Sequence, residues 1–507
     1  MTTLRSEPQS ATGVAARARA AWALVPLAVL ACGLKGPLMS LGRGLWGPQD
    51  PWRNGDFVVG WWWWWAASER WRGIDWLARV DWPEGMTTIA PVIPNPLDMA
   101  ILGLLGPPTP LAWNLAQGGH LVALVLSAFV LGRAAGAAPW ASAAGASLVA
   151  ASPVLLHEVA GGRPSGLVVW PGLLCLACLQ RAGWRWGVAA GLLAALQGVA
   201  YAWHGLALVL IGLPLVRSGR TLGVGVLVGA LAVAPYLIWL LDGLAGVPTD
   251  LPQAGYTALP LGGLFALKPM PPRFLLHPLL IVASLLALGR GRRWLAAGAI
   301  GLTLAVGPAP TWDLGEPLGA GPWAWVAWAF PPAARMHHPI RVTLLALPVL
   351  GVAAAVGLDR LRWGRGVAAG LVLAAAANHR AMDQASSYDR PTTPPFADVA
   401  AALPLPDGPV IDLLGMPHST ALSLQPYHRR PILEPLWGRR TDRPLQRGAE
   451  ALSRGESPPP GFWSEAEADG FVGVLVLDRF GDGAPARERL DQTLGESAFA
   501  GVHVLAH

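Results

Sequence analysis

Charge is scarce in this chain: Asp, Glu, Lys and Arg make up only 13% of its 507 residues, against roughly a quarter in soluble globules. With 53% hydrophobic residues alongside, so little charge excludes an ordinary water-soluble globule, and the apolar excess must face lipid. Lysine is nearly absent, leaving Lys35 and Lys268, so arginine carries the basic charge. Those arginines fall singly or in small groups between apolar runs, which excludes a phosphate-tracking stripe and with it a nucleic-acid partner. The three cysteines, Cys32, Cys175 and Cys178, all lie inside apolar runs, which argues against a disulfide framework and against structural zinc. Cys175 and Cys178, at helical spacing, read as small core residues.

What is present is a succession of apolar runs bounded by Arg, Pro or Gly. Runs of about 16 to 23 residues predict spans near 20–42, 111–133, 138–156, 165–181, 185–201, 203–217, 221–241, 274–290, 293–308, 341–358 and 365–382. The first is interrupted by Lys35, and the short pair meeting at Tyr201 to Gly205 also reads as one broken or re-entrant helix. The predicted fold class is mainly α: a polytopic transmembrane bundle of about eleven spans, residues 1–382, followed by a small C-terminal α/β domain, residues 383–507.

Short cytoplasmic loops collect positive charge. Arg17 and Arg19, Arg133, Arg181 and Arg185, Arg217 and Arg220, Arg290 with Arg292 and Arg293, and Arg360 with Arg362 and Arg365 mark alternate junctions. Asp56, Glu158, Asp242, Asp250, Asp313 and Glu316 mark the opposite ones. An odd span count then places the N-terminus in the cytoplasm and the C-terminal domain outside it, as for a multi-pass protein of a bacterial inner membrane with a periplasmic tail. The first apolar run continues to Met39 without a good small-residue cleavage pattern, so it reads as a retained signal anchor.

The first outer loop, 43–110, holds the densest unusual chemistry: Asn54-Gly55-Asp56, five consecutive tryptophans from Trp61 to Trp65, then Glu69 and Arg70. The tryptophans predict helices lying at the headgroup level, with some rings facing protein, and direct stacking on a sugar is a second role they could hold at once. Asp56 sits between a permissive Gly and the apolar Phe57-Val58-Val59. A carboxylate partly removed from water there has a raised proton affinity, which suits a general base. The loop after the third span offers His157-Glu158 and Gly161-Gly162-Arg163-Pro164-Ser165. That is a carboxylate, an imidazole and a guanidinium together, or else a flexible inter-helix turn.

The order of these features resembles the GT-C superfamily of polytopic glycosyltransferases, in its large bacterial branch. The resemblance rests on a first span, an outer loop opening with Gly55-Asp56, the stretch Pro91-Val92-Ile93-Pro94-Asn95-Pro96, and a run of short-looped helices. A later loop carries Phe330-Pro331-Pro332 and Arg335-Met336-His337-His338-Pro339-Ile340-Arg341, and a polar tail follows. The resemblance implies a sugar donor linked to polyprenyl phosphate and a catalytic carboxylate in the first outer loop, which Asp56 matches, with Glu158 as a second acid. The loop has no Asp-x-Asp or Asp-Glu pair, so the metal dependence of some branches does not carry over, and no metal ligands or cofactor are assigned.

On this resemblance Arg341, Arg335 and Arg163 would pair with the donor phosphate, with Lys268, His157, His337 and His338 as further substrate-binding groups. Asp56 would take the proton of an acceptor hydroxyl, giving inversion at the sugar. The acceptor, whether glycan, lipid or protein, is left open. Two other functions compete: a non-catalytic scaffold that keeps the GT-C body, and a flippase or transporter, which the many Gly and Pro residues within spans also suit.

In the tail, Arg390 to Pro395 is a linker by composition. Beyond it, Val410 to Leu414, Phe471 to Leu477 and Val502 to Leu505 predict strands, and Arg487 to Leu494 a helix. Pro417-His418-Ser419, Tyr427-His428-Arg429-Arg430 and Trp437-Gly438-Arg439-Arg440 read as solvated loops packed on the membrane body.

Overall fold

A helix lies in every one of the eleven apolar runs of the computed structural model. The structure describes residues 20–39, 44–48, 51–53, 55–80, 97–244, 278–289, 291–312, 317–336 and 338–383. In the last part it describes 393–394, 397–401, 407–413, 424–433, 444–475, 488–492 and 502–504, and it adds the single residues 41, 261, 405 and 422. Among the described residues, Pro110–Ala134, Gly219–Leu241 and Pro339–Leu358 are long and apolar enough to cross a membrane. A fourth crossing results if Pro139–Ala150 and Pro153–Ala160, bent by 45° at Ser152, form one broken span. The other apolar helices are shorter, and the chain is a membrane protein built on a helical body.

Local chemistry sets the breaks. Pro110–Ala134 opens on Thr109, whose hydroxyl accepts from Ala112 N at 3.1 Å with Pro110 in the first turn, where a missing N–H costs nothing. The first run divides at Leu34 into Leu24–Gly33 and Lys35–Met39, at the point where Lys35 interrupts it. Between Trp184–Ala200 and Ala202–Gly212 the chain turns back at Tyr201, whose backbone is extended. A Cβ on Gly205 would lie 2.7 Å from Gly198 Cα, whereas seven residues of straight helix advance about 10 Å.

The helical segment Pro339–Leu358 is the centre of the body, with 89% of its apolar window buried, and Gly219–Leu241 is peripheral, at 17%. That outer helix is held by glycines. A Cβ on Gly191 would stand 2.5 Å from Gly225 O and 2.8 Å from Gly229 N, so Trp184–Ala200 and Gly219–Leu244 touch backbone to backbone, as small residues allow in lipid. Gly191→Leu is expected to force the pair apart at a cost of about 1–3 kcal/mol. An unchanged melting temperature in detergent would show that the contact contributes nothing.

The tail carries a four-stranded sheet of order β2-β1-β3-β4: β1 Val410–Asp412, β2 Ile432–Leu433, β3 Gly473–Leu475 and β4 Val502–Val504. β1 pairs in parallel with β2 and β3, and β4 runs antiparallel to β3. Helices Pro444–Ser453 and Phe462–Ala468 cover it, with Phe462 and Leu445 fully buried.

The tryptophan run corrects the expectation of a headgroup-level helix. Trp61 to Trp65 lie in the helix Gly55–Arg70, and all five are at most 8% exposed. An all-round apolar stretch suits either lipid or a protein core, and the burial of these rings by other parts of the chain sets this one in a core. One side meets Trp113 of Pro110–Ala134, with ring centroids 5.5 Å from Trp61 and 5.0 Å from Phe57. Another side joins the same core as the tail's β1, β2 and β3. Trp62 Nε1 donates to Gln425 Oε1 at 2.7 Å, and Val80 bridges to Ile432 of β2. The first loop and the tail thus share one core.

Candidate functional site

Glu158 is the best-defined acid of the helical body. Ser152 and Pro153 start the short helix Pro153–Ala160, which carries His157 and Glu158 in its last turn. Gly162 then adopts φ +63, a left-handed conformation that favours glycine. This brings Arg163 back so that its amide donates to Glu158 O at 3.1 Å. A side chain on Gly162 would strike Phe57, its Cβ only 2.7 Å from Cδ2. The turn therefore packs on the residue that follows Asp56.

The Glu158 carboxylate is 1% exposed and lies between two guanidiniums. Arg163 Nη1 donates to Oε1 at 3.2 Å, and Arg341 Nε stands 3.5 Å from Oε2. Arg341 arrives on the 3-10 turn Pro339–Val342, just ahead of the central helix. Its Nη1 donates to the Tyr201 hydroxyl at 3.0 Å. His204, fully buried, shares a hydrogen bond between its Nε2 and Arg341 O at 3.0 Å, and its ring lies 4.4 Å from that of Tyr201. Gly166 leaves room for the carboxylate, since a Cβ there would lie 2.7 Å from Oε2.

Of the residues the sequence singled out, the structure brings Glu158, Arg163 and Arg341 into one cluster. His157 and His338 are partly exposed beside their turns. Asp56 occupies the second position of the tryptophan helix and Arg335 the end of the 3-10 turn Pro331–Arg335, while their side chains lie outside the described residues. Lys268, His337 and Pro91 to Pro96 also lie outside them. Tyr201 was missed by sequence reasoning, although its place at a break between two apolar helices was a signal. Among the described residues no group of three His, Cys, Asp or Glu could hold a metal ion.

In the tail cluster Tyr427-His428-Arg429-Arg430, Arg429 is exposed and the other three are partly buried. Arg430 is half-buried, its Nη2 donating to Leu405 O at 2.8 Å and its amide to His428 Nδ1 at 3.0 Å. Burial lowers the proton affinity of Arg430, with Asp407 opposing, and burial raises that of the Tyr427 hydroxyl, with Asp398 adding to it. Arg429 reaches back to Glu69 of the tryptophan helix at 3.7 Å. The cluster ties the tail to the first loop.

The fold thus combines a helical membrane body, a first loop packed against an α/β tail, and a buried acid–arginine cluster just ahead of the central helix. No protein-family model matches the chain, and no curated protein matches it by sequence. Among solved structures, the cryo-EM structure of the arabinofuranosyltransferase AftD from Mycobacteria matches with a TM-score of 0.55 at 16% identity. The match covers 91% of this chain and 35% of that one, so the chain spans about a third of the enzyme it matches. The apo oligosaccharyltransferase of Archaeoglobus fulgidus gives a TM-score of 0.49 at 13% identity, over 92% of this chain and 71% of that one. ArnT from Cupriavidus metallidurans, bound to undecaprenyl phosphate, gives 0.42 at 14% identity, over 82% and 85%.

Proposed function

We propose that the chain is a membrane glycosyltransferase that moves a sugar from a polyprenyl-phosphate-linked donor to an acceptor at the periplasmic face, with inversion. The observation that carries this reading is the convergence of Arg163 and Arg341 on the buried Glu158, beside the helix turn that holds Asp56. A guanidinium has five donors in a planar fork and can serve a carboxylate and a phosphate together. Held by Glu158 and Tyr201, the two forks are fixed before the donor arrives, and orientation paid in advance lowers the barrier.

In this reading Arg163 and Arg341 neutralise the phosphate as the glycosidic bond breaks. Glu158 aims them, and Asp56 accepts the proton of the attacking hydroxyl. Arg335, Lys268, His157, His337 and His338 are further groups for the donor or acceptor. In this reading the chain crosses the membrane about eleven times, with the N-terminus in the cytoplasm and residues 383–507 in the periplasm, and the cluster would meet the lipid phosphate at the periplasmic face. The likeness to an arabinofuranosyltransferase at 16% identity supports the fold of such an enzyme.

The test is Arg341→Lys, which keeps the charge and removes the fork. Donor affinity is expected to fall about tenfold to a hundredfold, the worth of one or two hydrogen bonds to a charged group, with melting little changed. A reconstituted protein that binds the donor equally well with Lys at 341 would overturn the assignment. Transbilayer movement of the lipid without sugar transfer would instead identify a flippase, and neither activity a scaffold.

A further inference from the structure

The segment 317–330 reads Pro-Leu-Gly-Ala-Gly-Pro-Trp-Ala-Trp-Val-Ala-Trp-Ala-Phe, without one charged side chain. Its helix Pro322–Ala329 turns Trp323 and Ala327 inward and leaves the rest of its bulk outside. Trp328 is 87% exposed, Trp325 66%, Leu318 62% and Phe330 41%. Trp325 and Trp328, three apart, share a face. A cluster of large exposed apolar side chains marks a surface that something covers.

The fastening of this helix fixes its depth. Gly321 N donates to Pro308 O at 2.6 Å, and Trp323 Nε1 donates to Ala333 O at 2.9 Å. The helix therefore sits between the end of Arg292–Ala305 and the start of Thr343–Leu358, at the same end of the bundle as Arg341. It adjoins the end of a membrane helix, and its indoles combine an apolar body with one N–H, the chemistry that partitions to the headgroup level. A carbohydrate platform would need hydrogen-bonding side chains around its rings, and 317–330 supplies only the indoles.

We infer that Trp325, Trp328, Leu318 and Phe330 seat in the phospholipid headgroup interface on the side of the Glu158–Arg341 cluster, so that the bilayer itself holds the segment leading to Arg341. The enclosed Trp61 to Trp65 do not fill that role. The inference rests on the membrane body and stands whether or not the chain transfers sugar.

The test uses the full chain with Cys32, Cys175 and Cys178 replaced by alanine and Trp328→Cys labelled with bimane, in phosphatidylcholine vesicles. The expected result is loss of emission to lipids brominated near the headgroup, with less loss to lipids brominated near the chain ends and little to aqueous iodide. Quenching by iodide alone would place the face in water and overturn the inference. Quenching mainly by the deep bromines would make the helix a span, and protection from every quencher would mean a protein partner; either overturns it. Ala329→Cys, at an exposed neighbouring position, gives the same measurement with every tryptophan in place, should loss of Trp328 impair folding.

Discussion

Glu158→Ala is expected to destabilise the protein by about 3–5 kcal/mol, because removing one partner of a buried ion cluster leaves the other charges unpaired where little water reaches them. Arg163 and Arg341 are only 19% and 11% exposed at their side chains and face one carboxylate. The loss would appear as a lower melting temperature of the detergent-purified protein. It should persist at high salt, since buried pairs are screened far less than surface ones. Glu158→Gln keeps the shape and one acceptor oxygen, and should lose less than the alanine variant. Equal melting of all three proteins would mean that the arginines find other partners and that Glu158 does not organise the cluster.

Asp56→Asn is expected to slow sugar transfer about a hundredfold to ten-thousandfold, the usual worth of a positioned base. Melting temperature and donor binding should stay close to those of the unaltered protein, because Asn has the size and shape of Asp and removes only the charge. The measurement is single-turnover transfer in proteoliposomes at saturating donor. Full activity with Asn at position 56 would remove Asp56 from the chemistry and leave Glu158 as the acid to examine.

The helical body was legible because lipid imposes a simple rule: apolar runs become helices, since every backbone group must find its partner within the segment. The breaks were legible too where one residue causes them, as at Lys35 and Tyr201. In the tail, the β-branched clusters around Val410, Val474 and Val502 announced their strands. β2 escaped notice because two residues carry no periodicity. Tryptophan was the ambiguous letter. Indoles suit both a headgroup layer and a dry core, so Trp61 to Trp65 and Trp325 with Trp328 look alike in sequence and differ in burial. The individual members of the site were legible as outer-loop acids and bases. Their pairing was not, since Arg341 meets Glu158 through a tertiary contact that no local pattern encodes.

The hydrogen bond from Trp62 to Gln425 spans 363 residues of sequence, which sets a schedule for biosynthesis. At a translation rate of about 5–20 residues per second, the aromatic helix leaves the ribosome roughly 20–70 seconds before the partner that completes its enclosure. During that interval five indoles have no finished home, and the nascent chain must shelter them in the bilayer surface or in a chaperone. Truncation ahead of β1 would make that transient exposure permanent, so degradation of shortened chains should begin at the first loop.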